Sequence, residues 1–218
     1  MLGLRTLQRH LERIYEIRVE ENVDRFLITD AELARQLDRT ECPRAVPEKL
    51  LVHQDGDYVD LALYLDEELL TRWAADDPIE NLHHGNLSTF CTVLEGVSHF
   101  LYLCWNATHD RAVTLLELEL QAEVDKFILA AVLFGRQFGG RVPTGLHPCL
   151  FAAPSFDTAL DPESLYRYRN ANRYASLYCA QLQKRFLRTP GGVSILNELR
   201  QFYRLTHRRK LDRIRSLN

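Results

Sequence analysis

Leu87-Ser88-Thr89-Phe90-Cys91-Thr92-Val93-Leu94-Glu95-Gly96-Val97-Ser98-His99-Phe100-Leu101-Tyr102-Leu103-Cys104-Trp105 is the most apolar stretch of the chain. Wound at helical pitch, Leu87, Phe90, Cys91, Val93, Leu94, Val97, Phe100, Leu101, Cys104 and Trp105 cover most of its circumference. Only Ser88, Thr92, Glu95, His99 and Asn106 leave a narrow polar stripe. A helix apolar nearly all round belongs in a core, so that stripe is a candidate for burial as well.

The next segment, Asp110–Phe134, carries two conflicting signals. Leu116, Leu118, Leu120, Ala122 and Val124 alternate with Glu117, Glu119, Gln121, Glu123 and Asp125, the period of a strand. Leu, Glu, Gln and Ala are good helix formers and poor strand formers, and the run continues through Phe127–Leu133, too long for one strand. Composition and length decide for a helix. At helical pitch its polar residues split into two stripes: Glu117, Gln121 and Asp125, and Glu119, Glu123 and Lys126. Only one stripe need face water, which leaves the other free to point inward.

Outward from these two helices, Leu4, Leu7, Leu11 and Ile14 mark an amphipathic first helix. Thr29-Asp30-Ala31-Glu32 fits a capping box, with the Thr29 hydroxyl as cap, before a short helix to Leu37. Asp55-Gly56 between Leu50-Leu51-Val52 and the alternating Val59, Leu61, Leu63, Leu65 predicts a hairpin over about 49–65. A helix from Asp66 to about Ala75 follows. Gly139-Gly140 stops the second long helix. The Pro/Gly-rich stretch to Asp161 reads as an ordered strap pinned by Phe151 and Phe156. Asp161-Pro162-Glu163 opens another helix, to about Leu187. Thr189-Pro190 opens a last, basic one through 190–216. The expected architecture is mainly α: one domain over 1–218, a bundle of about six or seven helices with one inserted hairpin.

Composition is that of a globular chain: 46% hydrophobic, 26% charged, net charge −3. The charge is uneven. Residues 1–160 hold 14 Lys/Arg against 26 Asp/Glu, and residues 161–218 hold 13 against 4. Either the basic C-terminal segment packs on an acidic body or it meets an acidic partner. The five scattered cysteines form no Cys-x-x-Cys pair, which points to a reducing cytoplasm and away from a disulfide framework. The charged, leucine-containing N-terminus lacks the uncharged apolar core of a secretory signal, and no membrane association is expected.

Three places can carry chemistry. Glu95 and His99 share one helix face, as do Glu119 and Glu123 on the next helix. Antiparallel packing would gather all four into a divalent-metal or acid–base centre. The spacing is Glu-x-x-x-His rather than the Glu-x-x-His of di-metal bundles, and a structural ion network with Lys126, Arg169 and Arg173 is the competing reading. The second place is the basic C-terminus, Arg200, Arg204, His207, Arg208, Arg209 and Lys210, suited to a protein partner or to nucleic acid. Arg200 and His207 also share the Arg-x6-His spacing of the HEPN ribonucleases. The pattern is permissive, since Arg5 and His10 nearly fit it, and it assigns no family. The third is His83-His84 in a polar loop. No nucleophile elbow and no phosphate-cradling glycine loop occurs. Without a catalytic signature, the sequence reads first as a regulatory or adaptor-type interaction protein. A Glu/His metal-dependent or acid–base enzyme, such as a hydrolase, is the alternative, and an RNA-binding or RNA-cleaving protein the second alternative.

Overall fold

The computed structural model describes residues 3–38, 46–56, 58–154, 156, 158, 160–187 and 195–217. Nine α-helices and a small sheet stand among them: α1 Leu4–Tyr15, β1 Leu27–Ile28, α2 Ala31–Leu37, β2 Glu48–Asp55, β3 Tyr58–Leu65, α3 Glu67–Ala75, α4 Leu87–Ala107, α5 Leu115–Gln137, α6 Leu146–Phe151, α7 Pro162–Leu182, α8 Ile195–Tyr203 and α9 His207–Leu217. The mainly helical class with an inserted hairpin holds. The helix count exceeds the expected six or seven for two reasons. The Pro/Gly-rich strap contains α6, and the basic C-terminal helix breaks at Arg204–Thr206 into α8 and α9. Thr189 and Pro190 lie outside the described residues.

Strand order is β1-β3-β2, with β2 antiparallel and β1 parallel to β3. The two-residue β1 was missed because it is too short to show alternation. Asp30, not Thr29, caps α2, its carboxylate accepting from the amides of Glu32 and Leu33. In the hairpin Leu50 packs against the main core, whereas Leu51 and Tyr64 form a second small cluster with Ala34 on the other face. Glu48 therefore shares the inward face with Leu50. Gly96 on α4 lets that strand come close: a Cβ there would stand 2.7 Å from Leu63 Cδ1 and 3.0 Å from the Glu48 side chain.

Helix α4 is long and apolar enough to cross a membrane by length and composition, but 72% of its most apolar window is buried inside the protein. One apolar cluster runs from Leu4 on α1 through α4 and α5 to Ile214 on α9. Its centre is α5, which packs against both α4 and α7. That placement goes beyond what the pattern requires, because neighbours cover both polar stripes of α5. On the first stripe, Glu117, Gln121 and Asp125 are all buried. Asp125 accepts from Ser98 Oγ at 2.5 Å, Gln121 Nε2 at 2.8 Å and the Tyr15 hydroxyl. Burial nevertheless pushes the Asp125 carboxyl up to about 6. The Tyr102 hydroxyl donates to Glu117 at 2.5 Å.

Lys210 from α9 closes this network. It is fully buried, donates to Gln121 Oε1 at 2.6 Å, and lies over the rings of Tyr102 and Phe202 at 4.4 and 4.9 Å. Burial pushes its ammonium down to about 7, against an ordinary 10.5. Above about pH 7 the folded chain then holds Lys210 neutral while the unfolded chain keeps it charged, so this group makes stability rise with pH up to about 10.

Two stability measurements check these contacts. Gly96→Val should cost about 1–3 kcal/mol in urea unfolding, because Leu63 and Glu48 must give way. Between pH 7.5 and 9.5, the wild type should gain roughly 2 kcal/mol over Lys210→Met, which lacks the titrating group.

Candidate metal centre

The second stripe of α5 meets the polar stripe of α4 in a cluster that β2 and α7 complete. Glu95 and His99 come from α4, Glu119, Glu123 and Lys126 from α5, Glu48 from β2 and Arg167 from α7. Ligand atoms of Glu95, His99 and Glu119 lie within 4.8 Å of one another, close enough for one metal ion. Three of the four residues expected to converge do so directly. Glu123 joins through Lys126, whose ammonium lies 2.6 Å from Glu123 Oε1 and 3.0 Å from Glu95 Oε2.

Around His99 the contacts are loose. Its Nδ1 is 3.7 Å from Glu48 Oε1 and its Nε2 is 3.5 Å from Glu119 Oε2, while Arg167 Nε is 3.9 Å from Glu119 Oε1. Glu48 Oε1, His99 Nε2 and Arg167 Nε are buried without a hydrogen-bond partner. Buried polar groups are nearly always bonded, so these three atoms on either side of the His99 ring leave the cluster incompletely satisfied.

The electrostatics follow from burial and from this pairing. Burial alone lowers His99, but the carboxylates of Glu119 and Glu48 outweigh it and hold the imidazole well above its ordinary value. Burial likewise lowers Lys126, and Glu123 and Glu95 more than reverse that. For Glu95, burial raises the carboxyl, yet Lys126 and His99 win and bring it below the usual range. Glu123 is raised, chiefly by burial. Glu48 is raised by burial despite His99. Four carboxylates thus face two permanent cations, Lys126 and Arg167, with His99 as the third cation when protonated.

Part of the cluster borders a cleft of about 620 Å³, while His99, Glu119 and Arg167 lie behind its lining. Glu48, Glu95, Glu123, Lys126 and Tyr168 line it. Burial pushes the Tyr168 phenol up to about 12, with Glu119 and Glu95 adding to the effect. Phe151 is anchored in the core, whereas Phe156 lies on the cleft wall.

Some expected participants are elsewhere. Arg169 and Arg173 are exposed on α7, and Arg167, two residues earlier, supplies the cation instead. Glu48 and Arg167 were not singled out from sequence. A glycine inside the apolar α4 was the available signal, since an interior helical glycine often marks a close approach. His83 pairs with Asp76 at 2.9 Å in the loop before α4, and His84 is exposed at the cleft.

The basic C-terminus is largely committed to the fold. Arg200 pairs with Glu16 at 3.0 Å and donates to the Ile14 carbonyl. Arg204 donates to the carbonyls of Tyr15 and Glu16, both at 2.9 Å, satisfying the C-terminal end of α1. His207 Nδ1 is 3.0 Å from Thr114 Oγ1, so Arg200 and His207 serve different contacts. Lys210 corrects the expectation of a partner-binding side chain: it is fully buried because its stem and ammonium fill the aromatic surroundings of Tyr102 and Phe202. Arg208 and Arg209 are exposed.

Comparison of the chain with family models, with curated proteins and with solved structures gives no match.

Removing Lys126 leaves two half-buried carboxylates without their shared cation. Lys126→Met should destabilise the protein by about 1–3 kcal/mol in denaturant unfolding, less than for a fully buried pair because both carboxylates keep some contact with water. Adding Glu123→Gln to that variant should recover part of the loss, because one of the two stranded charges is gone.

Proposed function

We propose that the protein is a metal-dependent enzyme of the hydrolase type, with Glu95, His99 and Glu119 as ligands of one divalent cation beside the cleft that Glu95 lines. The observation that carries this reading is the convergence of those three ligand atoms beside buried, unsatisfied polar atoms of His99, Glu48 and Arg167. Two carboxylates and one imidazole suit zinc, manganese or ferrous iron better than a soft cuprous ion. A cation bound there would polarise a substrate oxygen and make a coordinated water more acidic.

The chain's own groups have distinct parts. His99 gives up its proton to act as ligand, so metal affinity rises with pH. Lys126 holds Glu95 and Glu123 in place through its two ion pairs. Glu123, raised by burial at the cleft wall, is the group best placed to take and return a proton. Buried carboxylates with shifted pKa values in a cleft are a recurrent mark of such centres.

A second reading, an interaction protein, is favoured by the hairpin tip, where Val52 and Val59 are exposed and Tyr58 is 80% exposed. Capture of a stable partner by the wild type and not by Tyr58→Ser would favour it.

The metal reading predicts that Mn²⁺ or Zn²⁺ binds one site per chain in calorimetry. Glu95→Ala and His99→Ala should each weaken binding at least tenfold. A wild type that binds neither ion would leave an ion network holding three elements together, and no metal enzyme.

A further inference from the structure

Helix α7 has two unlike sides. One turns Arg167 towards Glu119 and lends Tyr168 to the cleft. The other carries Tyr166, Arg169, Arg173 and Leu177, three and four residues apart and therefore in one stripe. All four are exposed, and Tyr166 is 69% so. Lys184 and Arg185, also exposed, follow in the π turn Gln183–Leu187 that ends the helix.

The charge on this side is of one sign. From Ser164 to Asn197 the sequence holds six Lys/Arg and no Asp/Glu, in a chain with 30 acids. Asp161 and Glu163 come before that stretch, at the N-terminal end of α7, where acids suit the helix dipole. Among the described residues, the side chains of Arg169, Arg173, Lys184 and Arg185 make no ion pair or hydrogen bond. The fold does not use these cations, and a surface of unneutralised arginine and lysine attracts a polyanion.

We propose that this side of α7 binds single-stranded nucleic acid, with phosphates on Arg169, Arg173 and Lys184 and a base stacked on Tyr166. An acidic protein segment would match the cations alone. A nucleic-acid strand matches the exposed ring as well, because every base offers a flat face to stack on it. The surface is separate from the Glu95–His99–Glu119 cluster, and from Arg200 and Arg204, which the end of α1 occupies.

Fluorescence anisotropy tests it, with short labelled oligouridylate and oligodeoxythymidylate titrated with the full chain between about 50 and 200 mM salt. Both strands should bind, and the tighter one names the kind of strand. The triple variant Arg169→Ala/Arg173→Ala/Lys184→Ala should bind at least about tenfold more weakly at the low-salt end. Its plot of log affinity against log salt should be shallower by about 2, for three phosphate contacts at about 0.7 each. Tyr166→Ala should weaken binding about fivefold or more and leave that slope unchanged. Arg208→Ala/Arg209→Ala, which removes exposed charge from α9 instead, should bind as the wild type does. All three variants should melt near the wild type, since none of the replaced side chains holds an ion pair in the fold. A wild type that binds neither strand would overturn the proposal. So would a triple variant that binds undiminished, or an α9 variant that loses as much. Polyglutamate that displaces the strand as well as unlabelled strand does would also overturn it, and assign the face to an acidic protein.

Discussion

Helix α5 takes Glu117, Glu119, Gln121, Asp125 and Lys126 into the interior on two sides at once, and the fold has to find each of them a partner. A helix of that composition is ordinarily half-wetted. Here α4 and α7 cover it along its length, with α1, α6 and α9 closing the remaining gaps. The consequence is a core in which hydroxyls, an amide and two lysines are as necessary as leucines. Leaving a buried carboxylate unpaired costs several kcal/mol, so the surrounding elements are selected for what they donate as much as for how they pack.

The two stripes are solved differently. On the α1/α9 side, neutral donors satisfy Asp125 and Glu117, and Lys210 arrives with one hydrogen bond and an aromatic surround. The acids there are closely bonded, the pattern of a structural network, although the Tyr203 hydroxyl among them has no partner. On the α4/α7 side, Lys126 is tightly bonded, but His99, Glu48, Glu119 and Arg167 stand 3.5–3.9 Å apart, with unsatisfied atoms between them. The looser packing around His99, with the cleft beside it, is what distinguishes the candidate centre from the scaffold.

Much of this was legible in the sequence for identifiable reasons. The near-continuous apolar circumference of Leu87–Trp105 required burial, and Asp55-Gly56 between alternating runs required a hairpin. The strand-like alternation of Leu116–Val124 gave way to helix because leucine, glutamate and alanine favour it and the run is too long for a strand. What stayed hidden depended on tertiary partners. Nothing in the local pattern says that both stripes of α5 are covered, or that Arg167 rather than Arg169 turns inward. Nor does it say that Lys210, in a run of arginines and lysine, is the buried one. Glu48 could be read only by combining strand register with the space left at Gly96. The basic C-terminus resembled a nucleic-acid segment because the chain ends of α1, which absorb Arg200 and Arg204, are distant in sequence.

Glu95, His99 and Glu119 are proposed to surround a cation. Anomalous diffraction from crystals of the protein grown with Mn²⁺, collected at the manganese edge, tests it most directly. The account predicts one strong peak bounded by Glu95, His99 and Glu119, within about 2.0–2.4 Å of their ligand atoms. A map with no peak at that point, and His99 hydrogen-bonded directly to Glu48 and Glu119 in its place, would contradict it.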